Sequence, residues 1–461
     1  MEKKIIGLLS AFLFYLVGFG QVANYGDVGV IVNDNSPVSI EIGEYFRQSR
    51  NIPDQNIIHI QTVTEEAIDT TEFRNIQYQI KNYILNQGLE NTLNYLVTTK
   101  GVPFDIQVDS CLLHPNFTLS KCSCVESELA LLLSADSTKI LKKSSIVNQY
   151  YGDTIHFNRT DYDILLVSRL DGYSKEDVFN LIDRSGPGSY VNKQEGQFIF
   201  DISYLMDTLV FNLLTGMMTP AIDSLNANGW NTLFHTDSLM PVNEEKVIGF
   251  VSIFQHIIQG DLNFTWEKGS FAELIVSGPE YTFYDSLNIS GNILNADLIK
   301  EGVGSASGYV HPLFVSQLTD YTIFFTRYPA TRNDPFNLAE SYYMATKNLS
   351  WMSLLIGDPK TTITTEGGSL INESGRFLGF NVFPNPASDR VVITFSGKQN
   401  GRVTISIRDQ FGKIVKQEIV QANSNRNEFI VKTENLRAGL YLIGISDESG
   451  NAEFKKLMIK Q

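Results

Sequence analysis

From Val28 onward the chain alternates short apolar runs with amphipathic stretches, and this rhythm predicts the architecture. "VGVIVN" (28–33) is apolar and β-branched throughout, as a strand buried on both faces should be. Ser36 then stands as N-cap and Pro37 at the first helical position, with Ile40, Ile42, Tyr45 and Phe46 spaced along one helical face. "NIIHI" (56–60) reads as a second strand and "FRNIQYQIKNYILN" as a second helix, with Ile76, Ile80, Tyr83 and Ile84 on one side. "LNYLVTT" (93–99) is a third strand, "ESELALLLS" (126–134) a helix, and "YDILLVSRLDG" (162–172) a buried strand running into a turn. "SKEDVFNLIDRS" (174–185) carries a Ser cap and acidic residues in its first turn. Further strands fall at "QFIFDI", "KVIGFVSI" and "ELIVSG", with a helix at 204–216 and a closing helix, link and strand over 336–359. Strands separated by helices imply right-handed crossovers. The expected fold is therefore α/β, a mainly parallel sheet flanked by helices.

After Pro359 the pattern changes. "TTITTEGGSLINESG" is rich in Thr, Gly and Ser and has no period, as a linker should. Beyond it, strand-like runs separated by turn residues about every ten positions predict a small all-β sandwich. The expected domains are 1–21 as a signal peptide, 22–360 as the α/β domain, 361–378 as linker and 379–461 as sandwich. The signal peptide rests on Lys3 and Lys4, the apolar run from Ile5 to Phe19 and the small residues before Gln21. An uncleaved anchor is the alternative, but the run is short and no stop-transfer charges follow it.

Charge narrows the partners. The chain carries a formal −15, yet residues 376–461 hold thirteen Lys and Arg against eight Asp and Glu, a local +5 that leaves −20 for the rest. Nucleic acid is excluded as an expected partner of the front domain. All three cysteines lie in "CLLHPNFTLSKCSC", and an exported chain is expected to join Cys111 to Cys122 or Cys124 in a disulfide. A metal site adding His114 is the weaker reading, because the spacing is not that of a structural zinc site. No cofactor is called for.

The last 80 residues bring a resemblance. "FPNPASD" (383–389), "IRDQFGKIV" (407–415), "LRAGLYLIGI" (436–445) and the terminal "KKLMIK" resemble, in order and spacing, the C-terminal sorting domain of type IX secretion cargo in Bacteroidetes. The resemblance implies passage across the outer membrane, the type IX machinery as partner, and a secreted or surface-attached product.

For the front domain, ligands of an open parallel sheet are expected beyond the strand carboxyl ends. Polar residues cluster there: Asn33 and Asp34 after the first strand, Thr99 and Lys100 after the third, and Arg169 and Asp171 after "ILLVS". Lys100, Arg169 and Asp171 are the catalytic candidates, and with Asn33, Asp34 and Thr99 they are the binding candidates. The plainer reading is that Arg169 and Asp171 pair with each other or cap the next helix. GxSxG, HExxH, a Walker loop and GxGxxG are all absent, and His256, His311 and Ser277 stand alone. "TKGVP", "SELALL", "RLDG" and "GDP" resemble an uncharacterised family of exported bacterial α/β proteins, which implies no established activity. More distantly, the closing helix, link, strand and Gly-Asp-Pro resemble the caspase-like domain of gingipain-type cysteine peptidases. The chain departs from them where it matters: no His-Gly pair follows "KVIGFVSI", and no Cys follows "ELIVSG". Ligand or partner binding at the strand ends is thus the expected function, with a secreted hydrolase lacking that dyad as the alternative.

Overall fold

The computed structural model describes residues 24–460 except 115–116, 142–144, 203–206, 254–261, 276–292, 311–317, 330–333, 366–376, 398–400, 410–412, 423–425 and 448–451. The chain divides into two compact units, Met1–Glu366 and Gly367–Gln461.

The first unit is built on one ten-stranded sheet. Its strands are β1 (Val28–Asn33), β2 (Ile57–Ile60), β3 (Tyr95–Thr99), β4 (Leu166–Leu170), β5 (Gln197–Ile202), β6 (Asn231–His235), β7 (Val247–Ile253), β8 (Trp266–Ile275), β9 (Ala306–Tyr309) and β10 (Ser353–Ile356). Their order is β6-β5-β7-β8-β9-β10-β4-β3-β1-β2. Among the described residues every neighbouring pair in this sheet is parallel except β9 with β10. The sheet is therefore two parallel halves that run in opposite directions. Each half has its own carboxyl rim, at opposite edges of the sheet, where the sequence reading expected one.

Both halves also repeat one strand order. In the first, β1 leads out to the edge strand β2 and then back inward to β3; in the second, β5 leads out to β6 and then inward to β7. Such a reversal opens a crevice at the strand carboxyl ends. The first half has it between β1 and β3, the second between β5 and β7.

Local signals account for the helices. α1 (Pro37–Arg50) has Ser36 as N-cap, Pro at its start and Asn51 in the left-handed region as its stop. It packs closely on β1 because Gly43 has no side chain: a Cβ there would come within 2.3 Å of Val32. α2 (Thr70–Asn86) is capped by Asp69 and buries Phe73, Ile76, Ile80 and Ile84. α3 is only Val125–Leu129, much shorter than the period of "ESELALLLS" predicts, and its cap is the Cys124 sulfur. α4 (Lys175–Arg184) opens with a reciprocal capping box of Ser174 and Asp177. α5 (Thr208–Ala227) runs through Pro220, and α6 (Asn295–Glu301), α7 (Tyr321–Arg327) and α8 (Leu338–Ala345) complete the set used below.

The cysteine segment is a hairpin, Asp105–His114 with Phe117–Cys124, not a loop. Cys124 is a free, buried thiol, which corrects the expectation that offered it to a disulfide. Its sulfur accepts from the Ser127 amide and donates to the Ser353 carbonyl. Burial, with Glu126 close by, pushes the thiol well above its ordinary value, so it is inert as a nucleophile. The side chains of Cys111, Cys122 and His114 lie outside the described residues, as do the signal peptide, His256, Ser277 and His311.

The second unit has a three-stranded sheet of Phe377–Phe383, Arg390–Gly397 and Arg426–Lys432, and a four-stranded one of Ile414–Ala422, Gly401–Arg408, Gly439–Asp447 and Ala452–Ile459. All strand pairs within them are antiparallel. Their inner faces share a core that includes Val391, Ile393, Ile405, Ile407, Ile443 and Leu457.

Gly101 makes one backbone demand that bears on the site. It sits at φ +95, its carbonyl accepts from Asn33, and a Cβ would meet Ser36 Oγ at 2.2 Å. Gly101→Ala is expected to destabilise the α/β unit by on the order of 2 kcal/mol, since strain of this kind costs about 1–3 kcal/mol. Tryptophan fluorescence during urea unfolding measures it, because Trp230, Trp266 and Trp351 all belong to that unit. A wild-type midpoint would refute it.

Candidate functional site

The sequence candidates of the first half meet at its carboxyl rim. β3 and β4 pair with Thr98 opposite Arg169 and Thr99 opposite Leu170, so Lys100 and Asp171 leave adjacent strand ends together. Lys100 Nζ donates to Asp171 Oδ1 at 3.2 Å, and Arg169 Nε donates to Asp171 Oδ2 at 2.7 Å. The rest of the guanidinium is also taken. Nη1 donates to Glu126 Oε1 at 2.8 Å and lies 3.4 Å from Thr98 Oγ1, Nη2 donates to the Val102 carbonyl at 2.6 Å, and the plane lies over the Phe104 ring.

Arg169 is 1% exposed. Burial opposes its charge, but the Asp171 and Glu126 carboxylates outweigh that and hold its pKa above the ordinary value. Every nitrogen is turned inward to the protein. The guanidinium acts as a clamp on β4, α3 and the turn after β3, with nothing left to offer a ligand. Asp171 is buried with it and also accepts from the Gly172 amide.

Two more candidates are equally occupied. Asn33 is fully buried, donating to the Val63 and Gly101 carbonyls and accepting from the Asn35 and Thr62 amides. Thr99 is fully buried, donating to the Ile31 carbonyl and sharing a hydrogen bond with Ser39. Lys100, with 26% of its side chain exposed, and Asp34, partly exposed and 2.6 Å from His59 Nδ1, remain within reach of solvent.

The structure adds two acidic residues that sequence reasoning passed over. Glu126, at the start of α3, is the buried partner of Arg169 and accepts from Thr98 Oγ1 at 2.7 Å, while its Oε2 is buried and unpartnered among the described residues. Glu66 precedes β-structure in a polar stretch, "TVTEEAID", that has no period to betray it. Its carbonyl accepts from the Phe104 and Asp105 amides, and its carboxyl is pushed above the ordinary value by burial and then by Asp171. Chemically, the reachable part of this rim is one ammonium, one raised carboxyl and one Asp–His pair. No group of three or more His, Cys, Asp or Glu among the described residues could hold a metal ion.

At the other end of the chain the second unit has a clear relative. Residues 381–460 match the family described as a secretion system C-terminal sorting domain. They are a type IX sorting domain. It marks the chain for secretion or attachment at the cell surface, and no described helix is long and apolar enough to cross a membrane. None of the curated proteins matches the chain.

Among solved structures, the chain is similar to the Arg-specific cysteine proteinase gingipain R (RgpB), at 12% identity over 95% of this chain and 98% of that one, with a TM-score of 0.44. It is also similar to the complex of the Porphyromonas gingivalis RgpB pro- and mature domains, at 12% identity, 94% and 100% coverage, and a TM-score of 0.40. A structure described only as a protease gives 10%, 95%, 98% and 0.37.

Two predictions separate clamp from rim. Arg169→Ala strips a buried network of its only guanidinium and is expected to cost roughly 3–5 kcal/mol, whereas Lys100→Ala, at a partly exposed pair, costs about 1 kcal/mol or less. Equal losses for the two variants in thermal melts would contradict the assignment. For Glu66 the sign follows from its raised folded value. The folded state binds its proton more tightly than the unfolded chain does, so its contribution to stability is present below about pH 4.3 and lost as pH rises through the folded value. Glu66→Gln should therefore be more stable than wild type at pH 7 and level with it near pH 4, as urea midpoints at the two pH values will show.

Proposed function

We propose that this is an exported binding protein whose α/β domain takes a polar ligand at the carboxyl rim of the first half of its sheet. Lys100 donates to the ligand, and Asp34 and Glu66 accept from it. The observation that carries the reading is the inward saturation of Arg169, Asp171, Asn33 and Thr99. Four buried side chains fix the turn that follows β3, and that turn presents Lys100 at the crevice between β1 and β3. Rigid support beneath a small set of reachable polar groups suits binding.

The same observation weighs against a hydrolase built on Lys100, Arg169 and Asp171. A catalytic Arg or Asp must meet substrate, and both of these are already consumed. The polar rim favours a ligand with donors and acceptors spread over it, such as a sugar or an extended peptide, over an apolar one.

Glycan and peptide arrays probed with the mature exported protein test the proposal. A ligand retained by wild type and weakened tenfold or more by Lys100→Ala, measured well below the melting temperature of both proteins, is the expected result. Ligands held equally by both proteins would sink it. The address is tested separately: removing residues 381–460 should leave the protein inside the cell envelope, and an unchanged yield in the medium or on the surface would contradict the sorting role.

A further inference from the structure

The sorting domain carries a surface that its own core does not use. In the four-stranded sheet the pleat sends Ile405, Ile407, Ile443, Ile445 and Leu457 inward, and the residues between them face out. The register sets one outward row across all four strands: Ile414 stands opposite Arg408, Arg408 opposite Leu442, and Leu442 opposite Lys456. On one side of this row Phe454 stands opposite Gly444, and on the other Leu440 stands opposite Met458.

The outward positions of a sandwich sheet are ordinarily polar. Here Ile414, Ile419, Leu440, Leu442, Phe454 and Met458 are each between 40% and 67% exposed. Charge on this face has one sign. Arg402, Arg408 and Lys456 point outward, and the described positions in register with them hold no Asp or Glu. Arg408 Nε makes no hydrogen bond among the described residues, and its guanidinium lies over the Phe454 ring, 5.4 Å from the centroid. The three-stranded sheet differs on its outer side. Its apolar row of Phe383, Val392 and Ile430 lies between charges of both signs, Glu428 on one side and Arg390 with Lys432 on the other.

The apolar and cationic face comes from three of the four segments by which the domain resembles its family. Arg408 and Ile414 belong to "IRDQFGKIV", Leu440 and Leu442 to "LRAGLYLIGI", and Lys456 and Met458 to "KKLMIK". Packing of the core accounts for the alternate, inward residues of each segment and leaves the outward ones without a role. Large apolar side chains gathered in water mark a surface that a partner covers.

Given the sorting role of residues 381–460, on which this reading rests, we propose that the outer face of the four-stranded sheet is where the secretion machinery recognises the domain, through a receptor protein whose apolar patch is flanked by carboxylates. Leu440, Leu442, Phe454 and Met458 enter the apolar patch, and the carboxylates meet Arg402, Arg408 and Lys456. The face depends on the register of strands drawn from separate segments, a pattern that a protein surface can read. A lipid surface asks only for cations and apolar bulk in any arrangement.

Export of the full chain by cells that secrete it provides the test, read as the fraction reaching the surface or the medium. Leu442→Asp and the double variant Arg408→Glu/Lys456→Glu should each lower that fraction by about tenfold or more, because an unpaired charge in the patch, or like charges facing across it, oppose docking. Ile430→Asp, on the other sheet, should stay within about twofold of wild type. Circular dichroism and resistance of the C-terminal unit to proteinase K, measured on the purified full-length proteins, identify the variants that fold. Normal export of both folded face variants, while the chain lacking 381–460 is retained, overturns the face and leaves the address standing. Normal export of the truncated chain overturns the address itself. An equal loss from folded Ile430→Asp also overturns the face. Wild type that sediments with phosphatidylglycerol vesicles, when Arg408→Glu/Lys456→Glu does not, makes the occupant a lipid and overturns the protein receptor.

Discussion

Everything at the first rim depends on one buried guanidinium. Removing Arg169 from water is costly, and the cost is met only because two carboxylates, a carbonyl, a hydroxyl and an aromatic face surround it. Those partners come from separate places in the sequence. Thr98, Lys100 and Val102 belong to "TKGVP", Glu126 opens the "ESELALL" helix, and Asp171 closes "RLDG". Motifs that look like scattered candidates for chemistry are the parts of one electrostatic clamp. Asp358 of the closing "GDP" repeats the device on a smaller scale. It is fully buried and accepts from Tyr25 OH at 2.7 Å and Arg50 Nε at 2.6 Å, tying the start of the domain and the end of α1 to the strand that ends beside Arg169.

The second constraint is direction. A parallel sheet puts all its loop-borne chemistry at one edge, but here the antiparallel contact of β9 with β10 reverses the sense midway. The two halves then expose their carboxyl rims on opposite edges. Each half carries an acid beside a histidine of its edge strand, Asp34 with His59 in the first and Asp201 with His235 in the second. The environments differ: Asp34 is open to solvent, whereas Asp201 is sealed in the core and shared with Ser252. A sealed acid can orient its partner persistently, while an exposed one competes with water.

Much of this fold is legible in the sequence, for identifiable reasons. β1 and β5 match the predicted bounds because short runs dominated by apolar residues belong to strands buried on both faces, and α1 begins at Pro37 because Ser36 and Pro37 leave little choice. The sorting domain was equally readable, since its strands carry their own turn signals. What the sequence hid were features set by partners far along the chain. The shortness of α3 follows from its burial on all sides rather than from its period, and the direction of β9 depends on which edge it joins. Glu66 sits in no motif, Glu126 reads only as the first residue of a helix, and both acquire meaning only when folding brings them to Arg169.

Site residues illustrate the same limit more sharply. Sequence pattern places Arg169 and Asp171 correctly at a strand end, yet cannot tell a group aimed at solvent from one folded back into the protein. Three hydrogen bonds decide that, and they come from residues 43 positions before Arg169, 67 before it and two after it. Conversely, Asp201, His235 and Ser252 are each unremarkable in sequence, and only the register of three neighbouring strands makes a row of them. In a sheet of this kind, polarity at a strand end therefore marks a place to look. Exposure at that place then separates a side chain that holds the rim together from one that can meet a ligand.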